Sequence, residues 1–264
     1  MDKINELTKM QKDEEKLLLA KVNDKLKFCI ARNRPENTDF LDLSEQASVS
    51  SLLEKKRAEN TILFGGYEEA ERKILFVLPE EIEFSNRIYD QVLKVFRITL
   101  PKDQWGTYEH KTYLGALMKL GMKREKVGDI LVRNDGADII IMAEVEKFLM
   151  QNINGLTRFQ KAKIEIKSMD ELIYIPPKKE VLKINVPSMR LDCLVGELAR
   201  CSRNAAVDLI SQERVFVDFK EELVGSKQIK EGSYITIRGK GGRFKINKII
   251  GTSKSGRINL EVEH

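Results

Sequence analysis

Apolar positions recur with a changing period along this chain, and the changes divide it. Leu17-Leu18-Leu19-Ala20, Val22, Leu26, Phe28 and Ile30 supply one apolar face among dense charges, which predicts a helix. Pro35 ends that region, because proline cannot continue a helix interior. Asp42-Leu43-Ser44 offers N-cap candidates for a second helix running through Glu54-Lys55-Lys56-Arg57. Gly65-Gly66 then marks a turn. Residues 1–70 are therefore expected to form a helical N-terminal region.

From there strands and helices alternate. Ile74-Leu75-Phe76-Val77-Leu78 is a short apolar run closed by Pro79, and Val92 to Ile98 alternates imperfectly; both read as strands. A helix is expected over Thr112 to Leu120, with Gly121 as its C′ residue. Strands at Ile130-Leu131-Val132 and Ala137 to Ile141 flank Asn134-Asp135-Gly136, where Asp-Gly signals a hairpin. A helix over Glu144 to Met150 and a strand over Ala162 to Ile166 complete the run. The order from Val92 is strand, helix, strand, strand, helix, strand, which predicts a ferredoxin-like α/β sandwich over residues 71–168. That architecture also serves RNA recognition through aromatic residues on the sheet. Asp138 to Met142 has none, and Phe96 in the first strand reads as core, so base stacking on this sheet is not expected.

Pro176-Pro177-Lys178-Lys179-Glu180 reads as the centre of a linker spanning 169–185, since paired prolines favour extended backbone. The last segment, 186–264, holds Met189-Arg190-Leu191-Asp192-Cys193-Leu194, then Cys201-Ser202-Arg203-Asn204, Arg214-Val215-Phe216-Val217 and Glu231 to Gly239. This succession resembles the small RNA-binding module named after ribosomal protein S-four: a helical hairpin whose second helix opens with Ser-Arg, followed by a small β-sheet. The resemblance implies a structured RNA as ligand. Leu191, Leu194, Leu198, Val207, Ile210 and Val215 have the spacing of its core. One departure stands out: Glu213 and Asp218-Phe219 occupy positions where many such modules carry Gly and Asn-Gly.

The charge distribution points the same way. The 264 residues carry a net charge of +5; from Val186 onward there are 14 Lys/Arg against 10 Asp/Glu, and before it 32 against 31. Seven basic residues and no acid lie between Arg238 and Arg257, the footprint expected of a phosphate-backbone binder. Lysine protecting a strand edge is the alternative explanation of such a stripe. Three cysteines without a CxxC pair, and only His110 and His264, predict neither a disulfide framework nor a metal site. No apolar run is long enough to cross a membrane, and the charged N-terminus lacks a signal core, so a cytoplasmic location is expected.

A second resemblance covers the middle of the chain. His110-Lys111-Thr112-Tyr113-Leu114-Gly115-Ala116-Leu117 through Lys123-Arg124-Glu125-Lys126-Val127-Gly128-Asp129-Ile130 is similar to the central block of YlmH-type bacterial proteins. These combine an α-helical start, a central RNA-binding domain and a C-terminal S-four domain. The resemblance implies an α+β protein that associates with the large ribosomal subunit and handles stalled, peptidyl-tRNA-bearing particles.

The expected RNA contacts follow. Ser202 is placed to cap its helix with Arg203 at the first helical position, where free backbone N–H groups and the guanidinium would take a phosphate. An internal pair of Arg203 with Asp192 or Glu197 competes with that reading. Arg190, Arg214, Lys240, Arg243 and Lys245 are expected backbone contacts, with Gly239, Gly241 and Gly242 allowing close approach. Lys123, Arg124 and Lys126 form either a second RNA surface or a charged cap over the core. The function expected is non-enzymatic binding of ribosomal RNA and tRNA, with no cofactor, no membrane partner and no DNA. A pseudouridine synthase-like enzyme using the Asp of Arg190-Leu191-Asp192, and a cell-division adaptor that also binds RNA, are the alternatives.

Overall fold

Asn33, with φ 47°, takes the left-handed position that closes the first helix, α1 (Asp2–Arg32), two residues before Pro35. The computed structural model describes residues 2–176, 180–239 and 242–264, without the side chains of 2–12 and of Lys220. It falls into two compact units, Met1–Ile175 and Pro176–His264. The protein is of the α+β class.

In the first unit the chain leaves α1 as a strand, β1 (Glu36–Leu41), within the segment expected to be helical. Its alternation is broken by a bulge between Asn37 and Phe40, and Thr38 is buried although polar. The Thr38 hydroxyl donates to Asp39 O at 2.8 Å and accepts from Leu75 N at 3.0 Å, which satisfies it inside. The hydrophobic pattern therefore hides this strand. Helix α2 (Leu43–Lys56) starts at Asp42, whose carboxylate accepts from Glu45 N at 2.9 Å while the Glu45 carboxylate accepts from Asp42 N at 2.7 Å. A second unexpected strand, β2 (Thr61–Phe64), leads through Gly65-Gly66 into β3 (Lys73–Val77), and the three form an antiparallel sheet in the order β1-β3-β2.

Helix α3 (Asn86–Val92) then precedes β4 (Leu93–Thr99), α4 (His110–Lys119), β5 (Val127–Arg133), β6 (Gly136–Met142), α5 (Glu146–Asn152) and β7 (Lys163–Lys167). The four strands pair antiparallel in the order β5-β6-β4-β7, so the first strand of the run lies between its third and fourth, as in a split βαβ sandwich. Asn134-Asp135 forms the β5–β6 turn, and Gly136 is needed because a Cβ there would lie 1.9 Å from Ile98 O.

Both faces of this sheet are covered. Phe96, Ile139 and Ile141 pack with Tyr113, Leu117 and Leu149 of α4 and α5. Val95, Ile140 and Met142 pack with Phe40, Ile74 and Phe76 of the first sheet. Leu41, Leu75 and Val77 on that sheet's other face meet Val22, Cys29 and Val49 of α1 and α2. The unit is thus four layers deep, helix–sheet–sheet–helix, and β6 is buried along its whole length.

The segment expected as a linker is ordered at both ends. Met169, 4% exposed, lies in the core of the first unit, and β8 (Val181–Val186) pairs with β13 (Ile258–Glu263) along six residues. Pro177, Lys178 and Lys179 lie outside the described residues. The second unit continues with the hairpin α6 (Leu191–Leu198) and α7 (Arg203–Ser211), then β9 (Val215–Val217), β10 (Lys220–Glu221), β11 (Tyr234–Ile237) and β12 (Gly242–Thr252). The sheet order is β10-β9-β11-β12-β13-β8. Leu191, Leu194, Leu198, Ile210 and Val215 are core as expected, packed on Ile235, Phe244 and Leu260. Val207 is not: at 45% exposure it faces solvent, because the turn of α7 puts Ala206, Leu209 and Ile210 inside instead.

Among the described residues no helix is long and apolar enough to cross a membrane, and no cluster of His, Cys, Asp and Glu could hold a metal ion.

Candidate nucleic-acid interface

The helical hairpin of the second unit is organised around one carboxylate. Asp192 stands in the first turn of α6 and is 3% exposed. Its Oδ1 accepts from Arg190 Nε at 3.0 Å and its Oδ2 from Arg190 Nη2 at 2.8 Å. The same Oδ2 accepts from Arg203 Nε at 3.2 Å and Nη2 at 2.9 Å. The internal pair weighed against RNA contact is therefore present. It does not consume the cation, since the Arg203 side chain remains 62% exposed and the three groups together keep one positive charge. The Arg190 hydrogen bonds, reinforced by Arg203 against the effect of burial, hold the Asp192 carboxyl well below the usual carboxylate range.

Ser202 caps α7, its hydroxyl accepting from Ala205 N at 3.2 Å. Arg203 is the first residue of that helix, where the helix dipole and unpaired N–H groups favour an anion. An exposed guanidinium, held in orientation by a buried carboxylate at a helix start, is suited to a phosphate.

Arg214 sits at the end of the β9–β11 pair, just before β9. Its Nε donates to Arg238 O at 3.1 Å, and its guanidinium occupies the space that a Cβ at Gly239 would need. Gly239, at φ 76°, thus answers to a turn and to Arg214 rather than to a ligand. Arg243 and Lys245 alternate with buried Phe244 and Ile246 along β12, and so project from the sheet face opposite the helices. Lys240 and Gly241 lie outside the described residues. Of the remaining basic stripe, Lys248 pairs with Glu261 at 3.9 Å, and Arg257 Nη2 donates to Asn185 O at 2.6 Å, tying β13 to β8.

The central trio is divided. Lys123 is exposed. Lys126 bridges Asp39 at 2.6 Å and Glu144 at 2.7 Å. Arg124 is half-buried and donates to the carbonyls of Val127 and Gly128, the latter at 3.2 Å. Burial, with Arg72 nearby, pushes its guanidinium down to about 10. Arg124 and Lys126 thus make the internal contacts that a charged cap over the core requires. The neighbouring Gly128-Asp129 is structural as well. A Cβ at Gly128 would meet the Phe40 ring at 2.7 Å, and the Asp129 carboxylate accepts from Tyr67 Oη at 2.8 Å, Glu71 N at 2.7 Å and Arg72 N at 3.1 Å. His110 is exposed at the start of α4.

Several residues that shape these surfaces gave no local signal. Asp138 is fully buried between Arg97 and Arg133 and also accepts from Ile173 N at 3.0 Å. Arg97 and Ile173, 41 and 35 positions away in sequence, cannot be read from spacing. Phe216, Tyr234 and Arg238 did leave a trace, alternating with Val215, Val217, Ile235 and Ile237, which places them on the outer face of the second unit's sheet.

Residues 87–171 match a family described as "Putative RNA-binding domain in YlmH". The chain is 31% identical over 233 residues to the Ribosome-associated protein quality control protein P2 of Bacillus subtilis (strain 168), covering 87% of either protein. A solved structure, the cell division protein ylmH from Streptococcus pneumoniae, is similar at 18% identity and a TM-score of 0.49, over 61% of this chain and 95% of that one. With a relative of that identity and extent, and the central match inside the four-layer unit, the chain belongs to the YlmH family of RNA-binding proteins.

Proposed function

We propose that this protein is a non-enzymatic RNA binder that recognises structured ribosomal RNA and tRNA on the large ribosomal subunit, in the quality control of stalled peptidyl-tRNA. The observation that carries the reading is the Arg190–Asp192–Arg203 cluster at the Ser202-capped start of α7. It presents a fixed cation and free helix N–H groups together, which suits a phosphate in a defined backbone geometry. The name of the Bacillus relative supports the ribosomal setting.

The same cluster weighs against the enzyme reading. A nucleophilic Asp192 would have to be accessible, whereas it is 3% exposed and each oxygen already accepts from a guanidinium. The exposed Lys123 would supply a further contact from the first unit.

The test is co-sedimentation of the protein with purified large subunits across a salt series. Binding should fall steeply with salt through counterion release, and Arg203→Glu should abolish it in a folded variant. Undiminished binding by Arg203→Glu would overturn the assignment of the site. Modification of bulk RNA by the purified protein would favour the enzyme.

A further inference from the structure

The hairpin joining β9 to β10 is strained without evident structural need. Val217 pairs with Lys220, so the turn consists of Asp218 and Phe219 alone, at φ 47° and 67°. A two-residue turn of this kind requires positive φ at both positions, and the residues that supply it without penalty are Asn, Asp and Gly. Asp218 fits. Its carboxylate accepts from Tyr234 N at 2.8 Å and Ser233 Oγ at 3.1 Å, which repays the conformation with two hydrogen bonds. Phe219 does not fit, since a bulky residue there is a backbone outlier that glycine would relieve.

What Phe219 contributes is a ring on the sheet's outer face. Its centroid lies 5.2 Å from that of Tyr234, and the Arg243 guanidinium stands over it at 5.5 Å. Lys245 lies 5.7 Å from the Tyr234 centroid, and Arg238 covers the Phe216 ring at 4.2 Å. The strand registers set these pairs side by side, with Tyr234 opposite Lys245 and Thr236 between Arg243 and Phe216. All three rings are partly exposed. The nearby acids are Asp218, engaged by Tyr234 N and Ser233 Oγ, Glu221 on β10, and Glu263 opposite Lys245 on β13.

We infer that this outer face of β9-β11-β12 is a second RNA site, which takes an unpaired stretch of RNA by stacking bases on Phe219, Tyr234 and the Arg238 guanidinium that covers Phe216, while Arg243 and Lys245 meet the phosphates. Rings and guanidinium planes both accept the π-face of any base, and the cation held over each ring places charge near the backbone of a stacked nucleotide. The hairpin site on α6–α7 offers no ring and reads phosphate geometry; this face offers rings and reads single strands. The inference rests on the RNA-binding reading above.

Phe219→Gly separates the ring from the fold, because it should stabilise the turn while removing the platform. The full-length variant is expected to melt at a higher temperature than the parent and to bind a short oligouridine roughly tenfold more weakly. Its binding to inorganic polyphosphate, a probe of charge alone, should be unchanged, and Phe219→Trp should retain oligouridine affinity. Parent-like oligouridine binding by Phe219→Gly, or an equal loss for both probes, would overturn the stacking site. A parent protein that sediments with large subunits but ignores oligouridine would overturn this inference alone. One that binds neither would overturn the proposed function as well.

Discussion

Asp192 and Arg203 are joined across the helical hairpin by two hydrogen bonds, at 3.2 and 2.9 Å, so the start of the second helix is fastened to the first turn of the first. Asp192 is an acid at the centre of a surface assigned to an anionic ligand. Two views of it make opposite forecasts. If only net charge mattered, removing Asp192 would tighten RNA binding. If its task is to orient Arg190 and Arg203, removal would loosen it. The bidentate geometry favours the second.

Asp192→Asn is therefore expected to weaken RNA binding although it adds a unit of positive charge. It should also destabilise the second unit by about 2–3 kcal/mol, because charge-assisted bonds are lost around a buried group. Urea denaturation and a filter-binding assay on the same preparation check both.

Acid should expose two carboxylates in sequence-distant places. At Asp138 burial pushes the carboxyl up, but the Arg97 and Ile173 hydrogen bonds and Arg133 outweigh it and hold it low; at Asp192 the two arginines do the same. A carboxyl depressed in the folded state contributes stability that is complete above its unfolded pKa and is lost as pH falls toward the folded value. The melting temperature should thus respond little to these two groups between pH 5 and pH 8 and fall below about pH 4. Asp138→Asn should melt lower at neutral pH and show a shallower acid decline, which a series of thermal melts would record.

Gly128→Ala tests why the central block reads Gly-Asp. The added methyl would press on the Phe40 ring at 2.7 Å, and overpacking of this kind costs about 1–3 kcal/mol. Adding Phe40→Leu should recover part of the loss, a coupling that a double-mutant cycle in urea measures. Equal and additive losses would show that the two residues do not meet.

Lys123 and Arg124 are adjacent but should separate in their effects. Lys123→Ala is expected to leave thermal stability within error and to weaken RNA binding modestly. Arg124→Ala should lower stability, since the carbonyls of Val127 and Gly128 lose their donor. Scanning calorimetry of the two variants distinguishes them.

Local chemistry was legible wherever a residue acts on near neighbours. The Ser202 cap, the Gly121 helix stop at φ 83° and the Asn134-Asp135 turn all involve groups a few positions apart, so spacing alone located them. The core of the hairpin was legible for the same reason, except Val207, where helical spacing admits two faces and only packing chooses one. The sequence by itself determined the α+β class, the alternation of strands and helices from Val92 to Ile166 and the basic character of the last segment.

The tertiary structure decided what each charge and each sheet face is for. In β1 the local pattern is masked because Thr38 is buried with its hydroxyl satisfied by a residue 37 positions away. The central sheet has no open face because a second sheet packs on it, and that burial is a property of neither sequence segment alone. Lys126 is spent on Asp39, 87 residues earlier, while Arg203 shares a carboxylate yet stays exposed. The deciding partner lies 11 positions away for Arg203 and 87 for Lys126. Residue type and spacing constrain a side chain through neighbours within a turn or two, whereas solvation and pairing depend on what folding brings beside it.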